Sequence, residues 1–91
     1  QPLKYKSLTP NERRLLRLQY IEDQQGNCFY CKQPLVDPPP SYITEKQIDL
    51  SLFPLGFFNY PIHLQHDHNT GLTEGAVHAY CNAVMWQYEH R

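Results

Sequence analysis

The sequence is poor in cysteine and contains no long apolar run. It has only three cysteines, and because an odd count leaves one thiol over, metal ligation fits them better than oxidation does. No stretch of about 18 apolar residues could span a membrane, and no charged-then-apolar leader resembles a signal peptide. These absences favour a reducing, intracellular compartment and no membrane partner.

A large net charge is also lacking. The chain carries −1 at pH 7, whereas binding to duplex DNA is driven by phosphate neutralisation. The charge is unevenly placed, however, because five of the eight Lys and Arg residues lie in the first seventeen positions, against the single acid Glu12. Within that basic end, Arg13, Arg14 and Arg17 are candidates for DNA contact, and a solvated helix face is the alternative.

What the sequence does contain argues for one folded domain over residues 1–91. Hydrophobic residues make up 41% and aromatic residues 13%, which is more than a disordered chain carries. At this length the core is thin and often needs a metal or disulfide to stabilise it. The eight prolines imply long irregular connections.

Residues 1–26 are predicted to form a basic N-terminal arm followed by the first helix. Residues 1–7 look extended. Thr9 can cap a helix, Pro10 suits its first position, and Glu12 can complete a capping box. Gly26 would end the helix in a left-handed conformation. The expected apolar face consists of residues at three-residue spacing, widened by two more: Leu15, Leu18 and Ile21, with Leu16 and Tyr20.

Residues 36–61 look like an insertion. Three prolines at 38–40 force an extended segment, and residues 41–52 could hold a short helix. The rest is rich in aromatic side chains. We expect these to pack over a thin core, and contact with a substrate is the alternative. They are Phe53, Phe57, Phe58 and Tyr60.

Residues 62–90 predict a strand, a turn, a second strand and a helix. Residues 62–66 alternate apolar and polar side chains, which is typical of a half-buried strand. Residues 67–71 have turn composition, 72–77 a returning strand pattern, and 78–89 lack glycine and proline and favour a helix. The expected fold class is therefore α+β.

Two ligand pairs, each with a two-residue spacer, predict a metal site. In residues 27–35, Cys28-x-x-Cys31 can face one ion from a tight turn, and His78-x-x-Cys81 places two more ligands one helical turn apart. Together they make a Cys₃His set of the kind that binds structural zinc. The alternatives are a redox Cys-x-x-Cys motif, around which no βαβ pattern is found, and a buried Cys81 with a surface His78.

The order of these motifs resembles a known family. Cys-x-x-Cys, then His66-Asp67-His68 with Thr70-Gly71, then a ligand pair ending in Cys81-Asn82, is similar to the recombination endonuclease VII branch of the HNH, or ββα-metal, nucleases. The similarity covers Cys28 to about Tyr88, less the insertion. It implies a zinc-stapled, metal-dependent endonuclease that nicks or cuts duplex or branched DNA, leaving 5′-phosphate and 3′-hydroxyl ends. Related enzymes act as dimers, so a homodimer is expected, in a bacterial or phage-encoded cytoplasmic setting.

The resemblance also implies site residues. His66 corresponds to the general base and Asn82 to a ligand of a catalytic Mg²⁺ or Mn²⁺ ion. Gln65 stands where the family has a metal-binding Asp and brings no negative charge. Either Gln65 ligates, or Asp67 or His63 takes over, or this copy is inactive or altered. If the strand continues to Asp67, alternation points it with Gln65 and away from His66.

The remaining histidines near the motif have two interpretations. His63 and His68 could orient phosphate or water, with His68 as a DNA contact, or they are surface side chains. Two other functions compete with the nuclease. One is a zinc-stapled nucleic-acid-binding module whose catalytic ion is lost, and the other is a zinc-dependent protein-interaction module.

Overall fold

Two antiparallel strands packed between helices form the centre of the computed structural model, which describes residues 2–91. The three helices are α1 (Pro10–Asp23), α2 (Ser41–Thr44) and α3 (Ala79–Glu89), and the strands are β1 (Ile62–His66) and β2 (Thr73–His78). Short 3-10 turns lie at Tyr5–Ser7, Leu50–Leu52 and Phe57–Asn59. The molecule measures 32 × 27 × 22 Å, and the predicted α+β class is confirmed.

Helix α1 begins as predicted. The Thr9 side chain accepts from the Glu12 amide at 3.1 Å, and the Glu12 carboxylate accepts from the Thr9 amide at 2.8 Å, so both halves of the capping box form. The helix ends at Asp23, slightly before Gly26. The chain then leaves it through two left-handed residues, Gln25 and Gly26, with φ of 58° and 79°.

The predicted apolar face of α1 is wrong in two of its positions. Leu15 and Leu18 are half exposed, at 52% and 51%, whereas Tyr20 is buried and Leu16 packs against the core. Side chains four residues apart lie almost directly above one another on a helix, while a strict three-residue spacing drifts around it. The face that contacts the sheet therefore runs through Leu16 and Tyr20.

The N-terminal arm is attached to the hairpin instead of extending freely. Its prediction as wholly extended is wrong because Tyr5–Ser7 form a 3-10 turn. The Thr73 amide donates to the Leu3 carbonyl at 2.8 Å, and the Tyr5 amide donates to the Gly71 carbonyl at 2.9 Å. These bonds place Tyr5 beside the end of β1.

The hairpin matches the predicted strand bounds closely. β1 begins and ends where the alternation does, and β2 runs one residue later at each end than the predicted 72–77. The register shifts between Gln65, opposite Gly75, and His66, opposite Thr73, so Glu74 is the extra residue of a bulge. Such bulges increase local twist and re-aim side chains.

The core lies between the strands, α1, α3 and the Cys-x-x-Cys turn. Its largest fully buried side chains include Ile43 of α2, Val77 of β2, and Val84 and Met85 of α3. The insertion therefore contributes Ile43 to the core. Its aromatic residues do not fill the core as predicted: Tyr60 is 73% exposed, and Phe53 and Phe57 line a cleft described below.

Over residues 2–91, no helix combines the length and apolar character that crossing a lipid bilayer requires.

Candidate functional site

Four side chains from three segments converge on one buried point. Cys28 and Cys31 come from the turn after α1, His78 from the end of β2, and Cys81 from the first turn of α3. All four are buried, and their ligand atoms lie within 4.8 Å of one another. The structure thus brings together the two ligand pairs that are 47 residues apart in sequence.

The Cys-x-x-Cys turn is shaped by its own backbone. The amides of Tyr30 and Cys31 point at the Cys28 sulfur, at 3.4 and 3.5 Å. Lys32 adopts a left-handed conformation with φ of 69°, which returns the chain so that the Cys28 amide reaches the Gln33 carbonyl at 2.8 Å. Amides that face a sulfur favour its thiolate form, which is the metal-binding form.

The ring of His78 is oriented by two carbonyl groups. Its Nε2 lies 3.0 Å from the Pro34 carbonyl oxygen and 2.9 Å from that of Asp37. Carbonyls only accept, so Nε2 carries the proton and Nδ1 presents a lone pair. That Nδ1 lies 3.5 Å from the Cys31 sulfur and 3.6 Å from the Cys81 sulfur. Histidine ligands of metals are commonly oriented through such a bond from the other ring nitrogen.

The three thiols perturb one another strongly. A hydrogen bond from Cys81 lowers the pKa of Cys28 to about 4, and the same bond together with burial raises the pKa of Cys81. Burial also raises the pKa of Cys31. Three sulfurs that crowd one buried point thus shift one another's pKa values in opposite directions.

This donor set fits a tetrahedral zinc ion. With Zn–S near 2.3 Å and Zn–N near 2.0–2.1 Å, an ideal tetrahedron places a nitrogen roughly 3.5 Å from each sulfur, close to the two distances measured from His78. Cys28, Cys31, His78 and Cys81 could therefore bind a structural metal such as zinc, and no position is left open for a substrate.

A cleft of about 1100 Å³ is lined by residues of the arm, α1, the insertion, the hairpin and α3, and by none of the four cluster residues. Besides aliphatic side chains and prolines, three kinds of side chain line it. The first kind is the arginines of α1, Arg13, Arg14 and Arg17. The second is aromatic and comes from the arm, the insertion and α3: Tyr5, Phe53, Phe57, Tyr60 and Trp86. The third is polar and comes from the hairpin and α3: His63, His66, His68 and Asn82.

His66 lies in a stack of rings. It faces Tyr5 at 4.0 Å between centroids with an interplanar angle of 15°, and the Arg13 guanidinium covers the other side of Tyr5 at 3.9 Å. Burial lowers the pKa of His66, and the nearby charges of His68, Arg13 and Lys6 lower it further. The imidazole is therefore neutral at pH 7 and able to take a proton.

Asn82 contacts a histidine that the sequence interpretation left undecided. Its amide Nδ2 lies 3.1 Å from Nδ1 of His63, and because an amide nitrogen only donates, that ring nitrogen is the acceptor. Burial lowers the pKa of His63, and the charge of Arg17 adds to the effect. Phe57 packs edge-on against the ring at 4.6 Å. His63 is thus held neutral beside Asn82.

Gln65 and Asp67 do not line the cleft with Asn82. Gln65 is fully buried, and neither atom of its amide has a hydrogen-bond partner among residues 2–91. The condition under which Asp67 would replace Gln65 is not met, because β1 ends at His66, as the alternation predicts, and does not continue to Asp67. The Asp67 carboxylate instead accepts from the amides of Asn69 and Thr70, at 2.7 and 3.1 Å, in a turn of the kind that Asp favours.

The cleft does not by itself fit a magnesium ion. Among the residues described, no Asp or Glu lines it, whereas Mg²⁺ in proteins is held through one or two carboxylates together with substrate phosphates. Of the residues that the structure describes, Asn82 alone brings a side-chain amide oxygen to the cleft. The Gln65 amide is uncharged and buried outside the cleft lining.

The residues predicted to contact DNA differ in whether their side chains are already held by other parts of the protein. Arg13 donates from Nε and Nη2 to the Tyr5 carbonyl, at 3.2 and 3.0 Å, so its main partner is the arm. Arg14 is exposed and bonds Asn11 at 3.1 Å. His68 lies between His66 and Trp86, at 4.4 and 4.8 Å. The sequence interpretation missed Tyr5 and Trp86, since nothing local indicates that either would reach the cleft.

Compared with protein-family models, with curated proteins and with solved structures, the chain matches none of them. The fold and the cluster define its class: a small α+β protein with a buried Cys₃His set that could hold a structural metal.

Proposed function

We propose that this protein is an endonuclease that hydrolyses phosphodiester bonds in DNA, with His66 as the general base. The observation that carries the proposal is the cleft, whose lining includes the neutral imidazole of His66, Asn82 and the arginines of α1. A general base that must accept a proton near pH 7 needs a pKa near or below that value. Cationic side chains around it favour a phosphate group and the charge that develops on it.

The proposed reaction follows from these side chains. His66 takes a proton from water, whose oxygen forms a bond to phosphorus as the bond to the 3′ oxygen breaks. The leaving oxygen takes a proton from solvent, which gives 5′-phosphate and 3′-hydroxyl ends. Arg14 and Arg17 supply positive charge for the pentacovalent phosphorus, and Asn82 supplies a neutral polar contact. The hydrogen bond between Asn82 and His63 keeps that amide in place.

The resemblance to HNH nucleases adds a catalytic Mg²⁺ or Mn²⁺ ion to this proposal. Because the cleft offers Asn82 but no carboxylate, the chain's own ligands are weak, and phosphate oxygens of DNA would have to supply the negative charge. The dependence on a divalent ion is therefore part of the test.

Gln65 favours a second candidate function, a zinc-stapled nucleic-acid-binding module without catalysis. An ionised Asp at a ligand position would attract a dication, whereas an amide has no net charge to do so. Gln65 is also buried without a hydrogen bond to any of residues 2–91. An unsatisfied buried polar group costs stability, so the surroundings of Gln65 do not match the polarity of its amide.

Conversion of supercoiled plasmid to nicked and linear forms distinguishes the two functions. The unaltered chain, His66→Ala and Gln65→Asp are each assayed with Mg²⁺, with Mn²⁺ and without added ion. His90→Ala is the matched control, because His90 is an exposed histidine outside the cleft. The nuclease proposal predicts cutting by the unaltered chain and the control, and loss in His66→Ala.

The other results have definite meanings. Cutting by Gln65→Asp alone would show a competent scaffold with a disabled ion site. DNA binding without cutting by any variant would favour the binding module, and equal cutting by His66→Ala would contradict the assigned base. A homodimer, which the resemblance implies, is proposed as well, and light scattering after size exclusion measures it.

A further inference from the structure

Two chemically different groups of side chains line the cleft. Arg14 and Arg17 of α1 form a basic wall, and Arg17 lies close enough to lower the pKa of His63. Phe53, Phe57 and Tyr60 of the insertion form an aromatic wall. His66 and Asn82 line the same cleft, so a phosphate bound near them would share it with both cations and flat rings.

The aromatic wall is built like a surface for contact with a planar group. Phe53 and Phe57 lie 4.8 Å apart with an interplanar angle of 40°, and Phe57 is fixed against His63. Tyr60 stands beside them with 73% of its surface exposed. Folding alone gives no reason to leave so much aromatic surface at the edge of a charged cleft, since burying it would be favourable.

The chemistry of the cleft favours an unpaired strand. At about 1100 Å³ the cleft is close in size to a pocket for a small molecule, which suits one or two nucleotides. In a duplex the faces of the bases are covered by their stacked neighbours, whereas an unpaired base can lie against an aromatic ring. Cationic grooves with interleaved aromatic rings are the usual means of binding single strands, because every base has a face that can stack.

We propose that the cleft binds single-stranded DNA, with an unpaired base stacked on the wall of Phe53, Phe57 and Tyr60 and the backbone phosphates beside Arg14 and Arg17. Arg13 is excluded from the phosphate contacts because its guanidinium is held by Tyr5. The proposal rests on the proposed function for the placement of a scissile phosphate at His66. In that setting the preferred substrate is a strand that is unpaired where it is cut.

Binding can be measured apart from cleavage. Fluorescence anisotropy without added Mg²⁺ or Mn²⁺, and without a chelator that would remove zinc, compares four labelled ligands of one length. These are a single DNA strand, the same strand in a duplex, the same sequence as RNA, and a DNA strand with abasic sites. The abasic strand keeps the phosphates and lacks the stacking surface. The expected order is the single DNA strand tightest, at least about tenfold tighter than the abasic strand.

Variants on each wall separate stacking from charge. Tyr60→Ala should weaken single-strand binding about tenfold, and Tyr60→Phe should restore it, because a ring is what stacking needs. Leu55→Ala is the control, since Leu55 is fully exposed on the same segment and outside the cleft. Arg14→Ala should lower the slope of log K against log salt by about 0.7, the contribution of one phosphate contact on a single strand.

Trp86 gives an independent signal. It is the chain's one tryptophan and lines the cleft, so single-strand binding should change its fluorescence, and Tyr60→Ala should shift the midpoint of that change to higher DNA concentration. Circular dichroism and the zinc content of each variant establish that it is folded.

Several results would overturn the inference. They are duplex or RNA binding as tight as or tighter than that of single-stranded DNA, equal binding of the abasic strand, or Tyr60→Ala binding like the unaltered chain. The proposed function fails separately: if single strands bind as expected and none of the variants cuts DNA, the cleft is a single-strand site without catalysis. If duplex is cut and single strands do not bind, the nuclease stands and this inference falls.

Discussion

The phenol ring of Tyr5 lies face to face with the imidazole of His66, with centroids 4.0 Å apart and planes 15° apart. The contact joins the N-terminal arm to the end of β1, residues 61 positions apart. Arg13 closes the stack from the far side of Tyr5. Tyr5 therefore fixes the plane of the imidazole and shields it from solvent.

Replacement of Tyr5 should make the position of the His66 imidazole less well defined while leaving that side chain present. We expect Tyr5→Ala to lower kcat by roughly 10- to 100-fold, because small misplacements of a reacting group are costly, and Tyr5→Phe to retain most of the activity because it keeps the ring.

Burial is the main cause of the lowered pKa of His66, so that pKa should rise towards its ordinary value in Tyr5→Ala. Titration of the imidazole by NMR measures it even where cutting is absent, and Tyr88→Phe, outside the cleft, is the control.

The pH dependence of cutting should follow His66. Its pKa lies below the ordinary value of 6.5 because of burial and neighbouring positive charge. The base is therefore ready at pH 7, and the decline of activity with falling pH should be centred below 6.5. The pH profile of kcat/KM checks this. A decline centred above pH 7 would contradict the assignment of the base to His66.

His63 should make stability depend on pH in a defined window. Burial lowers its pKa in the folded protein below 6.5, whereas in the unfolded chain it titrates near 6.5. Between these values the unfolded state binds more protons, so stability rises with pH there. The contribution is complete above 6.5 and is lost as pH falls from 6.5 through the lowered pKa. Thermal unfolding between pH 7.5 and 5 should show a steeper loss for the unaltered chain than for His63→Gln.

Removal of the metal should unfold the protein. The Cys₃His cluster joins the turn after α1 to β2 and α3, and structural zinc contributes directly to folding free energy. We expect about one zinc per chain by elemental analysis, and loss of helical signal on chelation. His78→Ala should lose zinc and fold poorly, while His90→Ala keeps both. A metal-free preparation with unchanged thermal stability would contradict the structural role.

Gly75 should tolerate no side chain. A Cβ at this position would lie 2.7 Å from Oε1 of Gln24 and 2.8 Å from the Phe29 ring. That Gln24 oxygen accepts from the Ala76 amide at 2.9 Å and its amide group donates to the Ala76 carbonyl, so it connects α1 to β2. Gly75→Ala should therefore destabilise the fold by about 1–3 kcal/mol, as measured by denaturant unfolding.

Elements whose structure depends on residues close together in the sequence could be predicted. The bounds of β1 agree with the alternation over residues 62–66, and Thr9, Pro10 and Glu12 mark the start of α1. The two ligand pairs likewise follow from spacing, because a two-residue spacer puts two ligands on one side of a turn. Each of these patterns acts over one or two turns of chain, within the reach of local rules.

Features that depend on distant packing were not predictable in this way. Leu15 and Leu18 are exposed although they fit an apolar spacing, since the angle at which α1 meets the sheet selects Leu16 and Tyr20. Phe53, Phe57 and Tyr60 line the cleft and Phe58 is 39% exposed, so these aromatic residues do not fill the core, where Ile43 already occupies the space beside α3.

The sequence by itself determined the α+β elements, the Cys₃His ligand set and the candidate residues His63, His66, His68 and Asn82, because caps, periodicity and spacing are local. Only the tertiary structure decided that Tyr5 stacks on His66, that Asn82 meets His63, and that Gln65 is buried with no partner. Those relationships arise where the arm, a bulged strand and α3 pack together. Their geometry is set by the combined burial of many side chains, which no single stretch of sequence encodes.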